Sequence, residues 1–378
     1  MSGAACDPCL RRVRIVQLVA GGIDLAYKQR RPVRDVLALD DDELLHAAGG
    51  RRAPALRDDL EATPPRAVRE DAGARGLAAL CRHDPDYPAA LRDDRSAPAV
   101  LFVHGGGPGA AAQRLARLVG GAAGATGTGP PVVSIVGTRK ASDDGVAIAR
   151  TVARGLAAAG VTVVRGMALG IDSAAHAGAL EVGGPTLTVL ASGADVPYPP
   201  SKGSLYRALV RTQAVLSEMP PGFRPFRWCF PARNRTIAGL ASLTIVVEAA
   251  ERSGSLITAE LAQELGRAVG AVPGTVLAPR TAGSNALLRD GAVVIRHAQD
   301  ALDEALGIGV ATALAGRDGS ELARPLRALL ARVEDGHDTV AALAATPAQA
   351  QHVLAGLAEL ELLGFVRRGP GGRYVRVL

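Results

Sequence analysis

VVSIVGTRKASDDGVAIARTVARGLAAAGVTVVRG, residues 132–166, decides the fold. A β-branched run ends at Gly137, a helix-like segment follows from Asp144 to Ala159, and a second β-branched run, VTVVRG, comes next. Strands that are apolar throughout are buried on both faces, and strands alternating with helices build a parallel sheet. The pattern continues in TLTVLAS, AVLSEM, LTIVVEAA, AVGAVPG and AVVIRH, with helices expected over 171–182, 204–211, 234–241, 255–266 and 284–290. The expected fold is a doubly wound α/β domain over residues 132–305.

Outward from this domain the chain changes character on both sides. Residues 1–75 read as a small helical region, in which Asp40 caps an acidic first turn and Gly49 and Gly50 stop the helix. Residues 76–131 read as a connector with one short strand-like run, AVLFV, and a flexible Gly- and Ala-rich insert over 105–131 with at most a helical turn near 115–119. After a linker at 306–320, residues 321–378 read as three amphipathic helices and a hairpin with a Gly-Pro-Gly-Gly turn, the order of a winged helix. Arg367, Arg368, Arg373 and Arg376 make that hairpin basic.

The chain has 378 residues, 48% of them hydrophobic, enough for two or three folded domains. Its net charge of +6 favours an anionic partner, nucleic acid ahead of a membrane surface. There is no apolar run long enough to span a bilayer and no signal-peptide core in MSGAACDPCLRR, so the expected location is cytoplasmic. Cys6, Cys9, Cys81 and Cys229 are too few and too scattered for a disulfide framework. Cys6 and Cys9 form a C-x-x-C, and Cys81 with His83 offers acceptable zinc ligands; that second pair lacks the usual spacing and sits in another segment, so the reading is reduced thiols and no metal.

In an open parallel sheet, ligands bind beyond the carboxyl ends of the strands, where helix N-termini present free N–H groups to anions. The loop after the first strand carries Gly137, Thr138, Arg139, Lys140 and Ser142, donors suited to phosphate. A plain tight turn would explain Gly137 and leave the charges and hydroxyls unexplained. The loop lacks G-x-G-x-x-G, and no Walker pattern occurs, so no nucleotide cofactor is expected. In the second loop Gly166 and Gly170 bracket a turn; Asp172 reads as a helix cap and His176 as a core histidine. Lys202, between Ser201 and Ser204, offers another phosphate contact. Ser253, Gly254, Ser255 and Thr258 open a helix after Glu248 as a further anion nest.

FRPFRWCFPARNR, residues 223–235, concentrates Phe223, Phe226, Trp228 and Phe230 in a chain with only five Phe, five Tyr and one Trp. Phe223 and Phe226 read as core anchors. Trp228 and Phe230, alternating with arginines before Arg233, Asn234 and Arg235, read as shaping the rim of a single-strand groove, with Trp228 either stacking on a base or supporting the loop from beneath.

GTRKASDDG, RGMALGIDSAAHAGAL, FPARNRTIAGLAS, VVEAAERSGSLITAELAQELGR and GSNALLRDGA, in this order, resemble the DNA-processing protein A family, also called Smf. The resemblance spans the α/β domain. It implies an extended Rossmann-like fold, single-stranded DNA binding without sequence preference, a homodimer, loading of the RecA recombinase during transformation and recombination, and no catalytic turnover. It also implies an N-terminal region of the sterile-alpha-motif or helix-hairpin-helix kind and a C-terminal winged helix. On matching positions, Arg139 and Lys202 resemble the family's phosphate contacts, with Arg233, Asn234, Arg235, Ser253, Gly254 and Ser255 around the same pocket. The dimer and RecA surface is implied near 256–267. Asp143 and Asp144 depart from the family pattern and are expected to weaken phosphate binding; Ser192 stands where glycine is usual.

Two rival readings differ in class. A nucleotide-processing phosphoribohydrolase needs a P-G-G-x-G-T loop with an acidic partner, and the nearest segment, EAAERSGSLITAE, has one glycine. A transcription regulator would use the C-terminal domain on duplex DNA of preferred sequence.

Overall fold

The computed structural model describes residues 5–92, 94, 96–120, 130–308, 322–344, 346–363, 365–368 and 372–376. Chain contacts divide it into two units, Met1–Ala311 and Thr312–Leu378. The larger is built on a nine-stranded sheet: β1 (Leu77–Cys81), β2 (Val100–His104), β3 (Val132–Val136), β4 (Thr162–Arg165), β5 (Thr186–Leu190), β6 (Ala214–Ser217), β7 (Leu243–Val246), β8 (Ala268–Ala271) and β9 (Val293–Val294). Their spatial order is β1-β2-β6-β5-β4-β3-β7-β8-β9. Strands β3 to β9 run parallel, and the winding reverses between β3 and β7. β3 to β7 are buried along their whole length, as apolar runs covered on both faces require. The one polar rung shared by β3 and β7 satisfies itself: Ser134 Oγ donates to Thr244 Oγ1 at 2.8 Å.

The connector is part of this sheet. β2 pairs antiparallel with β6, and β1 pairs antiparallel with β2. The expected flexible insert gives way over 108–119 to a helix, Pro108–Val119, which buries Ala111, Leu115 and Leu118 in one cluster with Leu80, Leu101 and Leu216. Its alanines allow close approach while the two leucines, three residues apart, form the apolar stripe. Residues 121–129 of the insert lie outside the described residues.

The N-terminal helices pack on the same unit. As expected, Asp40 caps the helix Asp41–Gly49: its Oδ1 accepts from Glu43 N at 2.8 Å, and Glu43 Oε2 accepts from Asp40 N at 3.1 Å. Ile15, Ile23, Leu44 and Leu45 share a core with Met219, Phe223, Trp228 and Cys229. The first described residue lies against the sheet edge, where Ala5 N donates to Ala79 O at 2.9 Å. That pairing sets the helix Asp7–Leu18 beside the end of β1 and corrects the reading of scattered cysteines: Cys6, Cys9, Cys81 and His83 meet, with their ligand atoms within 4.8 Å of one another.

In the smaller unit, helices Arg324–Glu334, Val340–Leu343 and Pro347–Leu362 precede an antiparallel hairpin of β10 (Val366–Arg368) and β11 (Tyr374–Arg376). Leu330, Leu343, Leu357, Leu360, Phe365 and Tyr374 form its core. Residues 369–371 of the expected turn, like most of the 306–320 linker, lie outside the described residues. Among the described residues no helix is long and apolar enough to cross a membrane.

Candidate nucleic-acid interface

A pocket of about 570 Å³ opens where the winding reverses, beyond the carboxyl ends of β3, β4 and β7. The loop after β3 contributes Gly137, Thr138 and Arg139, the loop after β4 contributes Gly166, and the helix Gly254–Glu264 points its first turn, with Ser253, Gly254, Ser255 and Thr258, into it. Phe230, Arg233 and Asn234 complete that wall from the helix Cys229–Leu240. Further residues not singled out in the sequence also line the pocket, among them Tyr27 from the N-terminal helices, Tyr198 from the loop after β5, Arg227, and Arg165 from the end of β4.

Arg165 sets the electrostatics. Its guanidinium is buried at the pocket wall, and Nε, Nη1 and Nη2 have no hydrogen-bond partner among the described residues. Asp172 Oδ1 is its ionic neighbour at 3.5 Å. Burial pulls the Arg165 pKa down to about 10, which leaves it charged at neutral pH. Arg233 is likewise lowered by burial, and its Nη1 donates to Val189 O at 3.1 Å. Burial works against the Asp172 carboxylate, but Arg165, Arg233 and the Ala168 N–H outweigh it and hold its pKa below the usual range. Two guanidinium groups against one carboxylate leave a buried positive excess, to which Arg139 and the helix N-terminus add. Such an arrangement can hold an anion.

Gly166 is one of the glycines this arrangement needs. A Cβ on Gly166 would stand 1.2 Å from Arg233 Nη1, so the guanidinium reaches the wall only because residue 166 has no side chain.

The expectation that Asp172 caps its helix is corrected: the helix Ile171–Glu181 has no side-chain cap. Asp172 Oδ2 turns back and accepts from Gly166 N and Ala168 N, both at 3.2 Å, because the adjoining buried Arg165 draws the carboxylate inward. His176 is a core histidine as read: Nδ1 meets Thr186 Oγ1 at 2.9 Å, and burial, with Arg165 adding and Asp172 opposing, depresses its pKa to about 3. The unfolded chain takes up this proton near pH 6.5, before the folded state does. The resulting stability is therefore complete above pH 6.5 and falls as the pH drops toward 3, by about 2 kcal/mol at pH 5. Urea midpoints at pH 8 and pH 5 test this; His176→Gln should remove most of the difference, and an unchanged difference would refute the assignment.

Other expected site residues stand elsewhere. Ser142 lies outside the pocket as the N-cap of the helix Asp143–Ala158, accepting from Gly145 N at 3.0 Å and donating to Glu248. Asp143 and Asp144 are exposed in that helix's first turn, where they suit its dipole, and do not line the pocket. Lys202 sits in a short 3-10 turn, Pro200–Lys202, also outside the pocket. Arg235 is buried and ion-paired with Glu218, outside the pocket lining. Of the two roles open for Trp228, the ring takes the supporting one: it is fully buried and Nε1 donates to Ala20 O at 3.0 Å, so it anchors the N-terminal helices and does not stack at the rim. Phe223 is buried as expected, while Phe226 is 39% exposed. Phe230 does face the pocket, with the Arg139 guanidinium 5.5 Å from its ring centroid and Tyr198 tilted against it at 5.5 Å.

Fold and site together define a Rossmann-like protein with a cationic pocket at its switch point. The profile described as DNA recombination-mediator protein A matches residues 119–306. DNA processing protein DprA of Bacillus subtilis is 32% identical over 299 residues, 78% of this chain and 94% of the relative; protein Smf of Synechocystis is 34% identical over 330 residues, 79% of each. The X-ray structure of DNA processing protein A from Streptococcus pneumoniae superposes with a TM-score of 0.60 at 31% identity, covering 78% of this chain and 95% of that one. A Helicobacter pylori structure, described for its single-stranded DNA binding mode, gives a TM-score of 0.50 at 27% identity over 60% of this chain and 94% of that one. The chain belongs to the DNA recombination-mediator protein A family, the DprA and Smf proteins.

Proposed function

We propose that this protein binds single-stranded DNA, without sequence preference and without chemical turnover, by seating a backbone phosphate in the switch-point pocket. The observation that carries this reading is the Arg165 guanidinium, buried at the pocket wall with unfilled donors. Arg233, Arg139 and the Ser253–Ser255 helix start surround the same space, and Phe230 and Tyr198 offer ring faces beside it for a base. That the Helicobacter pylori relative is described as binding single-stranded DNA supports the reading.

The rest of the reading follows the family. We assign the protein to protection of incoming single strands and delivery of the RecA recombinase to them, as a cytoplasmic homodimer with residues 321–378 as a winged helix. The exposed apolar side chains of Val276 and Leu277, on the loop after β8, are of the kind a second copy would cover. Against the phosphoribohydrolase reading, Glu248 has its carboxylate taken up by Ser142 N and Oγ, and Asp172 is held by two backbone N–H groups, so neither is a free acid or base.

Fluorescence anisotropy with oligo-dT at two salt concentrations tests the proposal. Arg139→Ala should weaken binding about five- to tenfold and reduce the slope of log affinity against log salt by about one. Lys202→Ala alone should have a smaller effect, because Lys202 lies outside the pocket. Removal of residues 321–378 should leave most binding intact. Wild-type protein that ignores oligo-dT but releases free base from a nucleoside monophosphate would replace this reading with the enzyme.

A further inference from the structure

Away from the pocket, at the edge of the sheet, four side chains with metal-binding chemistry converge. Cys6 stands at the N-cap of the helix Asp7–Leu18, with Cys9 in its first turn. Cys81 ends β1, and His83 follows two residues later in the turn. Cys6 Sγ lies 3.8 Å from Cys81 Sγ and 3.3 Å from His83 Nδ1, while Cys9 Sγ lies 3.5 Å from the same nitrogen. All four ligand atoms are within 4.8 Å of one another.

A tetrahedral zinc ion with Zn–S near 2.3 Å and Zn–N near 2.1 Å places its sulfurs about 3.8 Å apart and each sulfur about 3.6 Å from the nitrogen. The Cys6–Cys81, Cys6–His83 and Cys9–His83 separations match a common centre to within a few tenths of an ångström before any ligand moves, and the remaining ones lie within 4.8 Å. They do not match a disulfide, which needs about 2.05 Å between the Cys6 and Cys81 sulfurs, and all four cysteines of the chain are free. His83 strengthens the case: its ring is exposed, yet Nδ1 turns toward two thiols. The Cys6 N–H donates to Cys81 Sγ at 3.5 Å, an outer hydrogen bond that favours a thiolate.

We propose that Cys6, Cys9, Cys81 and His83 bind one structural zinc ion. Three sulfurs and one imidazole select zinc over magnesium or calcium, and four protein ligands close the site, leaving no position for substrate. As the ion binds, the three thiols release their protons to solvent. The ion joins the first helix to edge strand β1, where Cys9 and Cys81 already share a small core with Leu10, Leu77 and Val100. Nothing in this inference depends on DNA binding.

The test is metal analysis of the full-length protein, purified without chelator and with no histidine tag. About one zinc per chain is expected, released by an organomercurial as the thiols are titrated. His83→Ala, at an exposed position that should not impair folding, is expected to lower retained zinc several-fold against a competing chelator, and Cys229→Ser, away from the cluster, to leave it unchanged. Cobalt reconstitution of reduced protein should give the visible bands of a tetrahedral thiolate site, lost in Cys6→Ser. The proposal is overturned by a zinc content near zero that does not rise on anaerobic reconstitution, by zinc that His83→Ala and Cys6→Ser both retain, or by iron and sulfide in its place.

Discussion

Gly166→Ala is expected to fold and to bind oligo-dT about tenfold to a hundredfold more weakly than the wild type. The added methyl group would occupy the space of Arg233 Nη1, and the guanidinium, buried and tied to Val189 O, has no free volume on that side. It must leave the wall or push the loop after β4 away from Asp172. A charged hydrogen bond to a phosphate is worth about 1.5 to 3 kcal/mol, which converts to the stated range. Overpacking of this size costs about 1 to 3 kcal/mol of stability, so the folded fraction is checked by denaturation in parallel. Gly73→Ala, in a helix with open space around the added carbon, is the matched control and should bind normally. Wild-type affinity in Gly166→Ala would mean that Arg233 does not hold the strand.

Trp228→Ala should be the most destabilising single substitution in the larger unit, by about 3 to 5 kcal/mol. The ring is fully buried among Ile23, Leu44, Leu45 and Phe223, and its removal both leaves a cavity and deprives Ala20 O of its donor. Chemical denaturation measures the loss. Because the same side chain fastens the helices that carry Tyr27, DNA affinity should fall too, although Trp228 is outside the pocket lining. Trp228→Phe should recover part of the stability; an alanine variant as stable as wild type would show that the ring anchors nothing.

The parallel sheet was legible because β3 to β7 are rich in β-branched residues and need cover on both faces. β1 was not: LAALC has no β-branched residue, and it becomes a strand by pairing with β2. The helix at Cys229 was placed late because Pro231 reads as a break, whereas in the first turn a proline forfeits no helical hydrogen bond. Arg165 had a usable signal, a charged residue closing an otherwise apolar buried strand. Tyr27 had none, and Cys81 with His83 had the right ligand types but no spacing that tied them to Cys6 and Cys9, since both roles depend on which distant segments the tertiary fold brings alongside. Arg235 was misplaced, and the role of Trp228 undecided, for a related reason: a basic, aromatic stretch looks the same in sequence whether its side chains face a groove or a neighbouring helix layer.

The antiparallel edge also imposes an order on folding. β1 and β2 leave the ribosome early, but the strand that receives β2 is β6, made only after β3, β4 and β5 with their helices. Until Ala214–Ser217 emerges, the outer edge of β2 has no partner, and the first helix has only the β1–β2 pair to lean on. Such distant pairing slows closure and leaves an open strand edge exposed to misassociation during synthesis. A chain cut short anywhere before β6 would lose more than its missing residues: the segment made first would have nothing to complete it.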